Sequence, residues 1–429
     1  MDQLTAVLIG AGGRGFHSYA SYALDFPHEL KIVAVAEPNA SRRASFAEAH
    51  GIPEQSCYES WEPLLEQSPV ADIALICTQD RMHFEPVMLA LKQKYHVLLE
   101  KPMSPSPMEC IQIERAAKEN GRLLTVCHVM RYAPLWSVIK RFIDEGKIGQ
   151  IVSIQLNENV GYWHIAHSFV RGPWNNSDTS SPMILAKSCH DMDMLAWLMD
   201  QPCTRVSSFG SLMHFHSGNA PEGSTDFCID GCAVEATCPY SAPRFYLSGE
   251  GKSFYSKYFT NDFTGEPSRD KIVQGLRESS YGRCVYKSDN NVVDHQVVNM
   301  EFANGATATF SMCGFTLEPQ RVIQIMGTKG EIRGQDDQIV LRDFLTHEET
   351  RVAIPHQTGH DGADKAIMRN YLHEVRHYHG QESRSSASAS VQSHMMAFAA
   401  EQSRLRKGAS IELAEFYDEI AESFTQVGR

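Results

Sequence analysis

Short apolar runs separated by amphipathic stretches make up the first part of the chain. Each run has the length of a β-strand, and the stretches between them carry helical patterns. Strands that alternate with helices form a parallel sheet with crossover helices. The pattern therefore predicts an α/β domain that ends with a helix over about 134–145. The runs are residues 4–9, 32–36, 73–77, 96–99 and 123–127.

From residue 151 onward the pattern changes. Residues 151–156 alternate as a strand does, and a helix is predicted over about 183–199. The later strand-like runs have no regular helices between them, which predicts a largely antiparallel sheet. No periodicity is evident over about 217–290. The later predicted strands are residues 204–212, 292–302, 306–313 and 320–327, and the predicted C-terminal helices are residues 387–404 and 412–424.

The first apolar run leads into a glycine-rich turn with the spacing Gly-x-Gly-x-x-Gly. The first glycine permits a tight turn, the second lets the backbone approach a diphosphate, and the third lets the next helix pack closely on the strand. The N-terminus of that helix offers N–H groups to an anion. These features predict a dinucleotide-binding domain. The residues of the turn expected at the cofactor are Gly10, Gly12, Gly13, Arg14 and Gly15.

An acidic residue follows at the position that distinguishes the two nicotinamide dinucleotides. Glu37 ends the second apolar run and lies 22 residues after Gly15. The acid that binds the ribose hydroxyls is expected about 20 residues on. A carboxylate there repels a 2′-phosphate, so NAD is expected as cofactor and NADP is disfavoured. Arg42 and Arg43 follow closely and soften that preference.

Two domains are predicted from these patterns, and 429 residues are enough for both. The fold class is α/β. An N-terminal Rossmann dinucleotide-binding domain is expected over residues 1–132. A C-terminal α+β domain with a large open, mostly antiparallel sheet is expected over residues 133–429, with a homo-oligomer formed through that sheet.

Polar residues follow the later strands of the predicted parallel sheet. Ligands of open α/β sheets bind beyond the carboxyl ends of the strands, so these side chains are expected near the nicotinamide end of the cofactor. The residues expected at the cofactor are Thr78, Asp80, His83, Glu100, Lys101 and His128, and Arg131 is expected at the substrate.

Composition and charge narrow the classes of partner. The chain is 42% hydrophobic and 21% charged, with a formal net charge of −13. That charge repels phosphates, so neither nucleic acid nor an anionic membrane is an expected partner. No run reaches 18 apolar residues, and no basic and apolar leader precedes the first strand. A cytoplasmic location is therefore expected.

Cysteine usage does not indicate a disulfide framework. The chain has 11 cysteines, an odd number, and Cys77 and Cys127 fall in apolar runs where thiols are buried and inert. Four other cysteines have two interpretations. Either their thiolates bind a structural zinc ion, or they are buried free thiols, since their spacing is not a paired Cys-x-x-Cys. They are Cys228, Cys232, Cys238 and Cys284.

The polar and aromatic segment over residues 161–174 is the candidate substrate loop. Aromatic faces beside polar groups suit a sugar ring, because its C–H face stacks while its hydroxyls need fixed partners. The alternative is packing at a subunit or domain contact. The residues expected at the substrate are Tyr162, His164, His167 and Arg171.

Together these motifs resemble the Gfo/Idh/MocA oxidoreductases. The resemblance rests on the glycine turn, Glu37, the Glu-Lys-Pro element at residues 100–102, His190 and the segment at residues 393–401, and it covers nearly the whole chain. It implies an N-terminal Rossmann domain, a C-terminal α/β domain with an open sheet, and NAD(P)-dependent chemistry on sugars and polyols.

The resemblance also implies roles for individual residues. Lys101 holds the substrate hydroxyl and promotes its deprotonation, and His190 is the proton acceptor. The chain departs from the family's Asp-x-x-x-His pair, because Ala186 stands at the Asp position. Lys187 and Asp191 flank His190, and helical spacing predicts that all three lie on one side of a helix. The identity of the proton acceptor stays open among them.

Three functions remain in view. The leading one is an NAD-dependent dehydrogenase that takes hydride from a secondary hydroxyl of a sugar, polyol or glycoside. The second, also implied by the resemblance, is a redox-neutral glycoside hydrolase that oxidises C3 transiently, eliminates the aglycone, adds water and returns the hydride. The third is an NAD-binding regulator without turnover, since the glycine turn and Glu37 guarantee binding alone.

Two more polar pairs occur in the C-terminal half of the chain. They are His360 with Asp364 and Asp294 with His295, and each pair either lines the pocket or forms turn and sheet hydrogen bonds.

Overall fold

Two β-sheets dominate the structure. The computed structural model describes residues 3–427 except 249–258, 262, 265–267, 336 and 356–361. A six-stranded sheet lies in the N-terminal part and a nine-stranded sheet in the rest of the chain. Buried side chains from both sheets form one continuous hydrophobic core, so the two parts pack together.

The N-terminal sheet consists of short strands joined by helices. Its strands are β1 (Leu4–Ile9), β2 (Leu30–Ala36), β3 (Cys57–Tyr58), β4 (Ile73–Ile76), β5 (His96–Leu99) and β6 (Leu124–Val126). The helices are α1 (Ser21–Asp25), α2 (Ala40–His50), α3 (Glu62–Leu65), α4 (Phe84–Lys92) and α5 (Pro107–Asn120), and a π-helical segment (Gly13–Ala20) precedes α1.

All neighbouring strands of this sheet run parallel, in the order β3-β2-β1-β4-β5-β6. The central strands β4 and β5 are buried at every residue, as expected for a sheet covered by helices on both faces. The strand order reverses between β1 and β4, and their carboxyl ends therefore frame the crevice where dinucleotides bind in such folds. The predicted Rossmann architecture is confirmed.

The nine-stranded sheet is mostly antiparallel. Its strands are β7 (Ile151–Asn159), β8 (Cys203–Ser211), β9 (His295–Phe302), β10 (Thr307–Cys313), β11 (Gln320–Gly327), β12 (Gly330–Gln335), β13 (Gln338–Asp343), β14 (Glu349–Ala353) and β15 (Ile411–Glu412). They lie in the order β14-β13-β12-β11-β7-β10-β9-β8-β15, and only β7 and β10 pair in parallel among the described strands.

The helices of this part of the chain are α6 (Pro134–Asp144), α7 (Tyr162–His164), α8 (Met183–Ala186), α9 (Cys189–Met199), α10 (Arg269–Glu278), α11 (Ala363–Arg376), α12 (Ala387–Leu405) and α13 (Leu413–Val427), with a further π-helical segment at Ile165–Arg171. Four of them, α6, α9, α12 and α13, pack on strands of the large sheet.

The long helix α12 joins the two sheets, because it packs on β8 and α9 as well as on α5 of the Rossmann domain. Just before α12, the carbonyl oxygen of Ser385 accepts a hydrogen bond of 2.9 Å from the N–H of Val126 in β6. The C-terminal part of the chain thus returns to the edge of the first sheet.

The other face of the large sheet carries alternating, more exposed side chains. Along β9, Gln296, Val298 and Met300 are buried, whereas Val297 and Asn299 are exposed. This alternation is typical of an antiparallel sheet with one solvated face. The described chain has no helix long and apolar enough to cross a membrane.

Two predictions about elements were wrong, and several elements were missed. The helix expected over 183–199 is interrupted at Lys187 and Ser188 and forms α8 and α9 instead. The region 217–290 is not wholly irregular, because α10 lies within it. Strands β12 to β15 and helix α11 were missed: the strands are short and half exposed, and α11 lies after a stretch of chain with no clear start signal.

Candidate functional site

The glycine turn after β1 has the open shape that a diphosphate requires. Gly10 has a φ of +90°, and a Cβ atom there would lie 2.6 Å from the carbonyl oxygen of Cys77. Gly15 packs directly on Gly10, whereas no atom lies within 4 Å of the place a Cβ would take on Gly12. The helical segment that starts at Gly13 directs its first N–H groups toward that space. These residues fit the diphosphate of a dinucleotide.

Glu37 is buried at the end of β2, beside this turn. Its carboxylate accepts hydrogen bonds from the N–H groups of Ala11 and Asn39, both at 2.9 Å, and pairs with Arg42 at 2.8 Å. Arg43 donates instead to the carbonyl oxygen of Glu37. Arg42 therefore offsets part of the negative charge that Glu37 presents at the cofactor cleft.

An ion network joins the glycine turn to the end of β5. Arg14 donates through Nε to Glu100 at 2.8 Å and through its two Nη atoms to Asp364, at 3.0 and 2.9 Å. Glu100 also accepts from the hydroxyl of Tyr19 at 2.7 Å and from the N–H of Lys101 at 2.5 Å. Burial raises the pKa of Glu100, but the charges of Arg14 and Lys101 outweigh it and hold this pKa below its usual value.

Lys101 lies where the two domains meet. It follows β5 of the Rossmann domain, and its Nζ donates to the carbonyl oxygen of Ala186 at 3.1 Å. Ala186 stands where the family resemblance places an aspartate, so the ammonium group contacts the backbone of that residue instead of a carboxylate. This contact brings Lys101 to the loop that leads into α9 and His190.

Three histidines cluster next to Lys101. The ring centre of His128 is 5.9 Å from that of His190 and 5.7 Å from that of His394. Burial lowers the pKa of His128 to about 4, which keeps this ring neutral near pH 7. Neither of its ring nitrogens has a hydrogen-bond partner among the described residues, and Asp193 lies 3.7 Å from Nε2. The cluster places imidazole groups where a proton can be exchanged.

Arg131 is buried near this cluster and contacts α9 of the other domain. It makes two contacts of 2.7 Å with the carboxylate of Asp193 on α9 and donates to the carbonyl oxygen of Arg384 at 2.7 Å. Burial raises the pKa of Asp193, but Arg131 outweighs it and the pKa lies below its usual value. These bonds tie the segment after β6 to α9, and the expected contact of Arg131 with substrate stays a prediction.

Lys187 and Asp191 meet through a second ion network on the sheet side. Lys187 pairs with Glu158 of β7 at 3.0 Å, and Arg321 of β11 pairs with Glu158 at 2.9 Å and with Asp191 at 2.7 Å. Burial, together with Glu158, raises the pKa of Asp191. His190 does not share this side, since its ring lies against His128 of the other domain. The single helical face expected for all three is thus corrected.

The polar residues after β4 make contacts within the protein. Asp80 accepts from the hydroxyl of Ser181 at 2.7 Å and from Nε1 of Trp174 at 3.3 Å, so it joins the Rossmann domain to the segment before α8. The hydroxyl of Thr78 donates to a backbone carbonyl four residues later. The ring of His83 is buried and contacts two backbone carbonyl oxygens.

The aromatic segment packs against Tyr240, Phe259 and Tyr281, which belong to the stretch between β8 and β9 that we call the insertion. The ring of His167 stacks on Phe259 at 4.0 Å and on Tyr281 at 4.8 Å and is almost fully buried. Burial lowers the pKa of His164 well below its usual value, and Lys187 adds to this effect. Tyr162 is partly exposed and lies 6.2 Å from Tyr240, ring to ring.

Arg171 at the end of this segment is buried and holds the insertion in place. Its guanidinium donates to the carbonyl oxygens of Arg283 and Tyr240, each at 2.7 Å, and contacts the thiol of Cys228 at 3.6 Å. These contacts agree with the packing interpretation of the segment, and the expected substrate contact of Arg171 stays a prediction.

Comparison with known proteins identifies the family. Residues 4–128 match the family model described as "Oxidoreductase family, NAD-binding Rossmann fold", and residues 140–411 match its companion, "Oxidoreductase family, C-terminal alpha/beta domain". The chain belongs to the Gfo/Idh/MocA oxidoreductase family. Members of this family are oxidoreductases, so the protein is an enzyme with an NAD-binding Rossmann domain.

Individual relatives differ in what they act on. YteT of Bacillus subtilis (strain 168), which carries the general name of an oxidoreductase, is 25% identical over 82% of this chain and 80% of its own length. Inositol 2-dehydrogenase 4 of Saccharopolyspora erythraea is 30% identical over 52% of this chain and 61% of its own length. A solved levoglucosan dehydrogenase in complex with NADH and levoglucosan has the same fold, with a TM-score of 0.71 and 16% identity over 96% of this chain and 99% of that one.

Four cysteines of this Gfo/Idh/MocA chain lie around one small cavity beside Arg171. They are Cys228, Cys232, Cys238 and Cys284. None of the four forms a disulfide bond; Cys228 and Cys284 are buried, and Cys232 and Cys238 are partly exposed. Among the residues that the structure describes, no group of three or more His, Cys, Asp or Glu side chains is arranged to hold a metal ion. The two interpretations of these cysteines, a zinc site or buried free thiols, both stay predictions.

The two C-terminal polar pairs differ in their contacts. Asp294 accepts from the N–H groups of Met213 and His214 and from His295 at 2.8 Å, so this pair forms sheet and turn hydrogen bonds. Asp364 binds Arg14, and His360 lies outside the described residues.

Four residues of the site were missed in the sequence: Glu158, Asp193, Arg321 and His394. Glu158, Asp193 and His394 are charged or polar side chains on the buried faces of β7, α9 and α12. An isolated polar residue on the apolar face of an element is the signal that marks them, because such a group needs a partner when buried.

Proposed function

We propose that the protein is an NAD-dependent dehydrogenase that oxidises a secondary hydroxyl of a sugar or polyol. The observation that carries this proposal is the contact between Lys101 and the backbone of Ala186. It brings a cation at the end of a Rossmann strand to the start of the helix with His190, where a substrate hydroxyl can meet both. The inositol and levoglucosan dehydrogenases among the relatives support a polyhydroxylated substrate.

Oxidation of a secondary hydroxyl requires an acceptor for its proton and an acceptor for the hydride. Bound NAD supplies the hydride acceptor. In the proposed mechanism the ammonium group of Lys101 holds the substrate oxygen and stabilises its developing negative charge, and His190 accepts the hydroxyl proton. The ring of His128 lies beside that of His190, and burial keeps it neutral.

Lys187 and Asp191 have a different part in this proposal. Their charges are balanced by Glu158 and Arg321 within the network on β7 and β11. Such a network holds fixed polar groups at the sheet side of the site, where the hydroxyls of a polyol need partners. We place these residues in substrate orientation, and Tyr162, which is partly exposed, in contact with the sugar.

The test measures turnover by the purified enzyme with NAD on a panel of inositols, anhydrosugars and glycosides. The absorbance of NADH reports the reaction. At least one polyhydroxylated substrate should produce NADH steadily. Lys101→Met should lower kcat about 10²–10⁴-fold, the usual worth of a group that assists proton transfer, while NAD still binds. Lys92→Met, at an exposed lysine of the same domain, is the matched control and should leave kcat unchanged.

Other outcomes separate the alternatives. Release of an aglycone without net NADH, lost when NAD is stripped, would indicate redox-neutral glycoside cleavage instead. Undiminished turnover by the Lys101→Met enzyme would overturn the proposed mechanism.

A further inference from the structure

One peptide group in the site is held at both ends by buried histidines. The peptide that joins Pro102 to Met103 lies one residue beyond Lys101. Its carbonyl oxygen is 2.8 Å from Nδ1 of His83, and its N–H donates to Nε2 of His394 at 2.9 Å. The two rings are 1% and 0% exposed. They come from different domains, His83 after β4 and His394 from the middle of α12.

The contacts of His394 determine its protonation. A backbone N–H can only donate, so Nε2 of His394 is the unprotonated nitrogen and Nδ1 carries the hydrogen. Nδ1 then donates to the carbonyl oxygen of Ser390 at 2.7 Å. Burial, followed by the influence of His128, lowers the pKa of His394 to about 3, which agrees with a permanently neutral ring. His394 is thus a fixed acceptor aimed at one peptide group.

The peptide on the other side of Lys101 is also fixed. The N–H of Lys101 donates to the carboxylate of Glu100 at 2.5 Å, and Arg14 and Tyr19 hold that carboxylate in turn. Anchored peptide groups therefore lie on both sides of Lys101: the Glu100–Lys101 peptide before it, and the Pro102–Met103 peptide one residue after it. The side chain extends from this backbone, and its Nζ donates to the carbonyl oxygen of Ala186.

We infer that His394 is a positioning residue for Lys101 and acts through the Pro102–Met103 peptide, with His83 as its counterpart on the carbonyl. This inference rests on the proposed function of Lys101. Helix α12 of the second domain thus helps to position Lys101 of the first domain. Hydrophobic packing alone does not explain why a histidine is buried in the 393–401 segment, whereas this inference gives His394 a function.

The physical consequence of losing this acceptor can be stated. Leucine in place of His394 fills a similar volume but leaves the N–H of Met103 buried without a partner, which costs about 1–3 kcal/mol unless the peptide turns toward another acceptor. Either response shifts the backbone next to Lys101. A displacement of about 1 Å in a catalytic group costs on the order of 100-fold in rate.

The experiment compares His394→Leu with His394→Gln. The leucine variant should lower kcat about 100-fold and change the Kd for NAD less than about 3-fold, because the diphosphate cradle is untouched. The glutamine side chain can present an oxygen near the position of Nε2, so His394→Gln should recover most of the lost kcat. A leucine variant with the kcat of the wild-type enzyme would overturn the inference.

His96→Leu is the matched control. His96 is also a buried imidazole that accepts a backbone N–H, from Leu123 at 3.1 Å, but it lies at the opposite end of β5. Its loss should lower stability and leave kcat unchanged. Equal losses of kcat in the His96 and His394 variants would mean that His394 contributes only to stability.

A double-mutant comparison tests the route of action. In the Lys101→Met background, His394→Leu should lower residual turnover less than about 3-fold, because the group that it positions is already gone. A further 100-fold loss would show that His394 acts elsewhere, which contradicts the inference.

Hydrogen exchange keeps this inference separate from the proposed function. In His394→Leu, amide exchange should accelerate in the peptide that contains residues 100–104 and remain as in the wild type in the glycine turn. This readout needs no substrate. If Lys101→Met stays active while exchange behaves as expected, the proposed function fails and the anchoring of the peptide stands; unchanged exchange at residues 100–104 overturns the anchoring itself.

Discussion

At the scale of single residues, the environment of each charged side chain depends on the partner that it contacts. Lys101 and Lys187 are both lysines near His190, yet one contacts a backbone carbonyl and the other a buried carboxylate. Glu37 and Glu100 are both acids at strand ends, and both are paired with arginines. A residue's identity in the sequence does not distinguish these cases, because each partner comes from a remote part of the chain.

Cofactor preference is a prediction at this scale. Glu37→Ser removes the carboxylate and leaves Arg42 free to bind a 2′-phosphate. Because a hydrogen bond to a charged group is worth about 1.5–3 kcal/mol, affinity for NADP should rise at least about 10-fold, and affinity for NAD should fall. Titration of both cofactors by protein fluorescence measures the change.

The control for this prediction is Glu59→Ser. Glu59 is an exposed acid that pairs with the neighbouring Arg43 at 3.3 Å, and its loss should leave both affinities unchanged. NADP binding that is no stronger after Glu37→Ser would show that Glu37 and Arg42 do not determine cofactor choice.

At the scale of elements, the ends of strands and helices are joined by buried ion pairs. The pair between Arg131 and Asp193 ties the segment after β6 to α9, and the pair between Arg14 and Asp364 ties the glycine turn to α11. These contacts set how the two domains meet, and the site lies at that junction.

Breaking one of these pairs should destabilise the fold. Asp193→Asn leaves the guanidinium of Arg131 buried without its counter-charge, which typically costs about 3–5 kcal/mol. Urea unfolding measures the loss. Glu301→Gln is the control, since Glu301 pairs with Arg205 at 2.8 Å but both side chains are about half exposed, and surface pairs contribute at most about 1 kcal/mol. An equal effect of the two substitutions would contradict the role given to the Arg131–Asp193 pair.

At the scale of the whole molecule, buried neutral histidines link stability to pH. Burial lowers the pKa of His128 to about 4 and that of His394 to about 3, compared with about 6.5 in an unfolded chain. As pH falls below about 6.5, the unfolded chain binds protons on these rings while the folded chain does not. The free energy of unfolding should therefore decrease as pH falls from about 6.5 to 4.

Urea unfolding at several pH values between 7.5 and 5 (a range of about 2.5 units) tests this expectation. Each such histidine contributes at most about 1.4 kcal/mol per pH unit, so His128→Leu should reduce the slope. His28→Gln, at an exposed histidine, should leave it as in the wild type. A free energy of unfolding that is constant over this range would refute the linkage.

Much of the fold could be predicted from the sequence, because its signals are local. The run at residues 4–9 and its glycines specify a strand, a turn and a helix start without reference to the rest of the chain, and the family model confirms the domain. Strands β12 to β15 could not be predicted in this way. They are short, half exposed and stabilised by pairing with neighbours, so little in their own residues indicates them.

The sequence by itself determined the dinucleotide-binding turn and the place of the Glu-Lys-Pro element: Gly10, Gly12 and Gly15 form the turn after β1, and residues 100–102 directly follow a Rossmann strand. Only the tertiary structure decided which residues meet there. It joined Arg131 to Asp193, Arg171 to the insertion, Lys187 to Glu158, and Met103 to His394 across 291 residues of chain. The reason is physical: a glycine's freedom and a strand's apolar run are properties of local chain, whereas a buried polar group acquires its role from the partner that folding brings to it.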